Sequence, residues 1–409
     1  MMIASPPAAS APGSLPAAPP GGVEGLLDAK ILLVDDNPVG RLVLEASLNG
    51  AGFTNLRSAA DGEQALALTA QWGPELIITD LMMPKMDGFD FCRRLGADPG
   101  HREVPIIVQT ARGEPGIRGD IFDAGASDLV LKPINPRELV SRVRIHLERR
   151  RLITSLTDYK RRIADELETA KAMQLSLLPT PAQVAALCNR LPIELASHCE
   201  PSFGLGGDIW GLDTLPDDRL RLWSADFAGH GVQSAVNTFR LHTFLATGGA
   251  PAARPGDWLG EVNEFLCGVL PVGQFATMLC AVVDFKRQRL TLASAAAPPP
   301  LLSDGERYEA VGITGLPLGV ARNAEYETLF LPFAPGATLF AYSDALTETP
   351  DPERPVLPLA ALVSHLQARR SETLGDIQAG LIAQLRAAMP GGLADDLTLI
   401  ALHHVAGAP

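Results

Sequence analysis

Two groups of acidic residues stand where chemistry is possible. In the first, Asp35-Asp36 follows the apolar run Ile31–Val34, Asp80 follows Leu76–Thr79, Thr110-Ala111 follows Ile106–Gln109, and Lys132-Pro133 follows Leu129–Leu131. Three clustered carboxylates repel one another and require a cation, and hard oxygen ligands select Mg²⁺. With that charge neutralised, a carboxylate can attack a phosphoryl group and form an acyl phosphate. Lys132 would pair with the phosphoryl charge, and Thr110 would bond one of its oxygens and so register its presence. Each feature alone has a plainer reading, since Asp-Asp after a strand caps a helix and Lys-Pro makes a turn. All of them together, in order, at the ends of successive runs, favour the chemical reading.

The second group is Asp208 in Gly206-Gly207-Asp208, Asp226 in Ala225-Asp226-Phe227-Ala228-Gly229-His230-Gly231, Asp344 in Tyr342-Ser343-Asp344, and Asp395 in Asp395-Asp396-Leu397-Thr398. Each adjoins an apolar run, which puts it at the rim of a core. Carboxylates gathered there are costly without cations. Two divalent ions would satisfy them and activate a bridging water for hydrolysis of a phosphate ester. The glycines around His230 would let backbone approach the metals. Turn formation or capping is the alternative for Asp208 and Asp226, and a lone His230 is more often structural than catalytic.

The elements that must position these residues differ between the two halves. Fully apolar runs such as Ile31–Val34 suit strands buried on both faces of a parallel sheet. With Leu56–Ala59 they make five strands alternating with helices, which indicates a doubly wound α/β domain whose strand ends converge on one crevice. From about Leu191 the period changes. Ile193–Ser197, Leu220–Ala225, Ala276–Asp284, Leu290–Ala293, Thr338–Tyr342 and Leu397–Leu402 read as strands, and Val232–Ala246, Trp258–Val269, Leu357–Arg369 and Leu374–Ala388 as helices. Hairpin-spaced strands with separate helices indicate an α+β domain.

Between them, Val140 to Leu178 contains neither Gly nor Pro. Leu152, Leu156, Tyr159, Ile163, Ala170, Met173 and Leu177 form a heptad-like stripe on a charged helix, interrupted by Glu166, which predicts a coiled-coil homodimer. A single helix packed on its own domain is the alternative. Leu178-Pro179-Thr180-Pro181 ends it. The expected division is a disordered Pro/Ala-rich tail at 1–27, the α/β domain at 28–148, a coiled-coil linker helix at 149–180 and the second domain at 181–405.

With 46% hydrophobic and 20% charged residues, the chain has the balance of globular domains with real cores. Its net charge of -13 argues against binding nucleic acid through phosphates and against anionic membranes. Five scattered cysteines make no Cys-x-x-Cys pair, so a zinc site or disulfide framework is not expected and a reducing cytoplasm fits best. No apolar run is long enough to cross a bilayer, and the N-terminus lacks the features of a signal peptide.

The pattern Val34-Asp35-Asp36, Asp80-Leu81-Met82-Met83-Pro84 with Met86-Asp87-Gly88, Thr110-Ala111 and Lys132-Pro133 resembles the receiver domain of response regulators of the chemotaxis type, with its flavodoxin-like fold. The resemblance implies Asp80 as the phosphorylation site. It implies Mg²⁺ held by Asp36 and the carbonyl of Met82, with Asp35 acting through water. The family often carries Tyr or Phe three residues before the lysine as a switch, where this chain has Leu129.

From about Leu167 to Leu402 the chain resembles metal-dependent PPM-type protein serine/threonine phosphatases of the SpoIIE branch. The resemblance rests on Glu168 to Pro179, Gly206-Gly207-Asp208, Gly229-His230-Gly231, Thr277-Met278, Gly315-Leu316-Pro317-Leu318-Gly319 and Asp395-Asp396-Leu397-Thr398. It implies a β-sandwich flanked by helices and two Mn²⁺ or Mg²⁺ ions. Asp226 would bridge both, the Phe227 carbonyl would bind one, Asp344 and Asp395 would hold the other, and Asp208 would act directly or through water. Ser294-Ala295-Ala296-Ala297 stands where the family has Asn-Ala-Gly-His, and Ala345 where Gly is usual after the third metal aspartate.

Together these imply a regulated phosphatase that receives its phosphoryl group from a sensor histidine kinase or phosphotransfer protein. By resemblance to the branch, its substrate is a phosphorylated STAS-type anti-sigma-factor antagonist. The alternative is a catalytically inactive adaptor that binds a sigma factor or its regulator. Retention of Asp208, Asp226, Asp344 and Asp395 favours the enzyme. A DNA-binding output lacks a basic recognition helix.

Overall fold

The structure is a computed structural model, and it describes residues 23–406 except 102, 112–116, 203, 230, 249, 251, 348–356 and 390. Residues 1–22 of the expected 1–27 tail, and His230, lie outside the described residues. The end of that tail is not disordered as expected, since Val23–Leu26 is helical and Leu26 is buried in the core of the first unit. The chain divides into two compact units, Met1–Arg162 and Ile163–Pro409.

In the first unit a short helix α1 (Val23–Leu26) precedes alternating strands and helices: β1 (Ile31–Val34), α2 (Pro38–Asn49), β2 (Leu56–Ala59), α3 (Gly62–Trp72), β3 (Leu76–Asp80), α4 (Gly88–Ala97), β4 (Ile106–Ala111), α5 (Ile117–Asp123) and β5 (Asp128–Lys132). The five strands are parallel in the order β2-β1-β3-β4-β5. Strand residues alternate between two cores. Leu32, Val34 and Ile77 pack with Phe91 and Leu95 of α4, while Leu33, Ile78 and Val130 pack with Leu44, Leu48, Leu139 and Val143. Both faces are covered, which is why the strands read as unbroken apolar runs. Short polar side chains start the helices: Asn37, Asp61 and Asp87 accept from backbone amides at the N-termini of α2, α3 and α4.

Helix α6 (Pro136–Leu175) runs for 40 residues without a break. Its first turns supply Leu139, Val143 and Leu147 to the core. Further along, the stripe that reads as a heptad is exposed at Leu152 (71%) and Tyr159 (60%). The helix ends at Leu175 rather than at the expected 180, and Leu177 lies beyond it, half-buried against the core of the second unit.

The second unit follows with α7 (Pro181–Arg190), β6 (Ile193–Glu200), β7 (Asp208–Leu215), β8 (Arg219–Phe227), α8 (Val232–Ala246), α9 (Pro255–Val269), β9 (Ala276–Asp284), β10 (Arg289–Ala295), β11 (Leu301–Ser303), β12 (Tyr308–Ala310), β13 (Leu329–Pro332), β14 (Thr338–Tyr342), α10 (Leu359–Ala368), α11 (Leu374–Ala388) and β15 (Leu397–His404). Two five-stranded antiparallel sheets form, β13-β10-β9-β8-β7 and β12-β11-β14-β15-β6. Leu220, Leu222, Leu279, Ala281 and Leu292 of one sheet meet Leu339, Ala341, Ile400 and Leu402 of the other in a shared core. Trp258, Leu259, Val262 and Leu266 of α9, with Leu241 of α8, cover the outer face of the first sheet; Leu362, Leu366, Leu381 and Leu385 of α10 and α11 cover that of the second. This is the expected helix-flanked sandwich.

The sequence reading does not anticipate α7, β7, β11, β12 and β13. Strand β7 carries Gly211 and Asp213 and lacks a clean alternation, yet it pairs with β8 along its whole length from Asp208↔Asp226 to Leu215↔Arg219. Gly211 is required there, since a Cβ would lie 2.4 Å from the Trp223 ring. Helix α7 starts at a capping box in which Thr180 and Gln183 satisfy each other's backbone amides.

Candidate functional site

The parallel sheet delivers its first group of residues to one edge. Asp35, Asp36 and Asp80 offer oxygens that all lie within 4.8 Å of one another. Lys132 Nζ donates to Asp80 Oδ2 at 2.7 Å and to Asp35 Oδ2 at 3.3 Å. Burial works against the Lys132 charge, but Asp80 and Asp35 outweigh it and hold its pKa above the ordinary lysine value. Asp80 Oδ1 accepts from Leu81 N at 2.8 Å, and Asp35 Oδ1 from Asn37 N at 2.9 Å. Two glycines are fixed by close approach: a Cβ on Gly40 would lie 2.6 Å from Asp35 Oδ2, and one on Gly88 would lie 2.6 Å from the Asp80 carbonyl oxygen. Thr110 is buried near the end of β4, and its Oγ1 donates to the Ala111 carbonyl at 3.3 Å. Met82 is exposed in the loop after β3, and Leu129 lies half-buried on β5. Sequence reasoning missed the Lys85–Asp61 ion pair that ties the loop carrying Met82 to the N-terminus of α3.

In the second unit, Asp208 and Asp226 stand directly opposite on β7 and β8. Asp226 is pushed up to about 7, first by burial and then by Asp344, Asp395 and Asp396. Asp208 is raised well above the usual carboxylate range, again by burial first and then by Asp226, although the hydroxyls of Thr398 and Ser343 oppose the shift. Asp344, Asp395 and Asp396 thus act on Asp226, and Asp226 on the buried Asp208. Asp226 and Asp344 are half-buried and Asp395 is exposed, and among the described residues only Asp35, Asp36 and Asp80 bring three carboxylates within 4.8 Å of one another. Asp208 Oδ2 is buried with no hydrogen-bond partner. An orphaned carboxylate oxygen among mutually repelling acids fits a site for cations.

Neutral bonds hold this locus in shape. Ser343, which precedes Asp344, donates from Oγ to the Asp396 carbonyl at 2.9 Å and accepts from Thr398 N at 2.8 Å. That joins the end of β14 to the start of β15 and brings Asp344 and Asp395 side by side in the chain's topology. Gly207 admits the Phe227 carbonyl oxygen, from which a Cβ would lie only 2.6 Å away.

Two residues that sequence reasoning passed over grip the loop before β7. Asp396 accepts from Ser202 N at 2.7 Å through Oδ1 and from Gly207 N at 2.5 Å through Oδ2. Gln174, near the end of α6, bonds both backbone groups of Gly206 and also donates to Thr238 Oγ1 at 3.1 Å. The doubled Asp395-Asp396 was the available signal for the first. Nothing in the hydropathy pattern marks the second.

The two departures from the phosphatase pattern have visible consequences. Ala296, where the family has glycine, adopts φ 55°, the left-handed region. Ser294, where the family has asparagine, is buried with an unpartnered hydroxyl. Ala345 sits buried in the short helical turn Asp344–Leu346.

Among the described residues no helix is long and apolar enough to cross a membrane. Residues 31–144 match the response regulator receiver domain model, and residues 216–405 match that of stage II sporulation protein E (SpoIIE). The chain is 34% identical over 195 residues to the DNA-binding response regulator MtrA of Mycolicibacterium smegmatis, covering 47% of this chain and 82% of that protein. It is 40% identical over 146 residues to response regulator PleD of Caulobacter vibrioides, covering 36% of this chain and 30% of that protein. By fold, it is similar to the SiaA-PP2C domain of Pseudomonas aeruginosa, with a TM-score of 0.52 at 21% identity, covering 60% of this chain and 98% of that one. The chain belongs to the response regulators, and carries a receiver domain joined to a phosphatase domain of the SpoIIE family.

Proposed function

We propose that this response regulator is phosphorylated on Asp80 by a sensor histidine kinase or phosphotransfer protein and thereby controls a metal-dependent phosphoserine/phosphothreonine protein phosphatase in the cytoplasm. Its substrate would be a STAS-type anti-sigma-factor antagonist. The receiver would span 28–148, the linker 149–180 and the phosphatase 181–405.

In the receiver, Asp36 and the Met82 carbonyl would hold Mg²⁺, with Asp35 behind a water. Asp80 is the nucleophile, Lys132 holds the charge of the transferred group, and Thr110 turns toward it. In the phosphatase, Asp226, the Phe227 carbonyl, Asp344, Asp395 and Asp208 would hold two Mn²⁺ or Mg²⁺ ions. Bound there, the ions supply a water activated near neutral pH and neutralise charge on the ester. Asp396 and Gln174 position the Asp208 loop.

The observation that carries this reading is the action of Asp344, Asp395 and Asp396 on half-buried Asp226, beside the unpartnered, buried Oδ2 of Asp208, a repulsion that bound cations would relieve at neutral pH. Phosphorylation would shift the receiver between conformations, and α6, unbroken from Pro136 to Leu175, would transmit the shift. Its exposed stripe from Leu152 to Tyr159 supports a homodimer through this helix.

The inactive adaptor remains a second reading because Ala296 is strained and the Ser294 hydroxyl unpartnered beside the site. Hydrolysis of a small aryl phosphate with Mn²⁺, in the wild type and in Asp344→Asn, separates the two. Turnover that vanishes in the variant supports the enzyme. Silence in both, even with a phosphoryl mimic on Asp80, supports the adaptor.

A further inference from the structure

We propose that an exposed apolar patch beside Asp226 binds the apolar side chains flanking the phosphorylated residue of a protein substrate, an inference that rests on the phosphatase reading. Six large apolar residues are exposed in three segments: Val232 and Val236 on α8, Val272 and Phe275 before β9, and Leu316 and Val320 between β12 and β13. Hydrogen bonds gather the segments. Ala276 N donates to the Leu318 carbonyl at 3.1 Å, and Leu318 N to the Ala276 carbonyl at 2.8 Å. Asn237, adjacent to Val236, donates from Nδ2 to Gln274 Oε1 at 2.9 Å. Arg240, one turn on from Val236, donates to the Val269 carbonyl at 3.2 Å.

The patch adjoins the carboxylates. Ala228 N, two residues past Asp226, donates to the Phe275 carbonyl at 3.0 Å, and Thr277 lies opposite Asp226 on β9. Exposed apolar side chains on segments tied together in this way make a binding face. A small phosphate ester would occupy the carboxylate site and leave the patch in water, whereas a polypeptide reaching the site would cross it. Charge fixes the character of that polypeptide. The site concentrates carboxylates and the chain carries a net charge of -13, so acidic flanks are repelled, while apolar flanks gain from burial.

The test uses synthetic peptides bearing a non-hydrolysable phosphonate analogue of phosphoserine, flanked by Leu and Phe, by Ala, or by Glu. Binding to the full chain with Mn²⁺ is measured by calorimetry, and p-nitrophenyl phosphate turnover is followed in parallel. The Leu/Phe peptide should bind roughly ten-fold tighter than the Ala peptide, the scale at which a pocket discriminates between apolar groups. The double variant Val272→Ser/Leu316→Ser, changed only at exposed positions, should erase that preference and leave aryl phosphate turnover intact. Equal affinities, or binding of neither peptide, overturns the proposal. Peptide discrimination without aryl phosphate turnover would instead overturn the phosphatase reading and leave the patch assigned. A lower solution mass in the double variant with the peptide preference unchanged would make the patch a self-association surface and overturn the proposal.

Discussion

Gln174 holds Gly206 by both of that residue's backbone groups: its Nε2 donates to the Gly206 carbonyl at 2.6 Å, and its Oε1 accepts from Gly206 N at 3.1 Å. The side chain is buried while its helical neighbour Met173 is 59% exposed. The last turns of α6 are therefore anchored to the loop that leads into Asp208.

Gln174→Ala leaves buried backbone groups unpaired. It should lower the stability of the second unit by about 2 kcal/mol. Because the loop also sets Asp208, aryl phosphate turnover should fall roughly ten-fold or more. Urea unfolding and steady-state kinetics check the two effects, and unaltered turnover in a folded variant would remove the positioning role.

Ala296→Gly relieves a left-handed backbone at φ 55°. A side chain in that region costs about 1–2 kcal/mol, partly offset by the greater freedom of glycine in the unfolded chain. The second unit should gain about 1 kcal/mol, a rise of about 2–4 °C in Tm. Calorimetry decides, and a lower Tm would mean that the methyl group makes contacts worth more than the strain.

Gln109 is fully buried on β4 with neither its Oε1 nor its Nε2 partnered. Gln109→Met, similar in shape and apolar, should stabilise the first unit by about 1–2 kcal/mol in urea titration. Destabilisation of that size would reveal a buried water on the carboxamide.

The buried acids predict the response of the metal-free chain to pH. Asp226 is pushed up to about 7 in the fold, well above the ordinary carboxylate value, and Asp208 is raised as well. A carboxyl with a raised folded pKa binds its proton more tightly folded than unfolded. Its contribution is complete below the unfolded value and lost as pH rises through the folded one. In a chelator, the Tm of the second unit should therefore fall as pH rises from 5.5 to 8, a range bracketing the value of about 7. Added Mn²⁺ should flatten the curve. A pH-independent Tm in chelator would show that these carboxyls are not crowded in solution.

The first unit was legible almost to the residue because its chemistry sits at strand ends and its strands are buried on both faces. Ile31–Val34 and Leu56–Ala59 match the observed strands, and Asp80 closes β3. In the second unit, Ala276–Asp284, Thr338–Tyr342, Val232–Ala246 and Leu374–Ala388 match because each has a long apolar pattern. Strand β7 was illegible because β8 determines it by pairing, against the propensity of Gly211. Gln174 was illegible for a related reason. Spacing marks the stripe through Met173 as the helix's contact face, whereas the buried residue there is Gln174, held by its hydrogen bonds.

Ser343 carries one further consequence. The three bonds through which it joins β14 to β15, to the Asp396 carbonyl, from Thr398 N and to the Thr398 carbonyl, involve only neutral groups. Charge is thus separated from architecture: the frame that presents Asp344 and Asp395 has no proton to gain or lose. Chelation, or an Asn in place of Asp344 or Asp395, removes the electrostatics and leaves the Ser343 joint standing, whereas the loop before β7 is held by the Asp396 carboxylate.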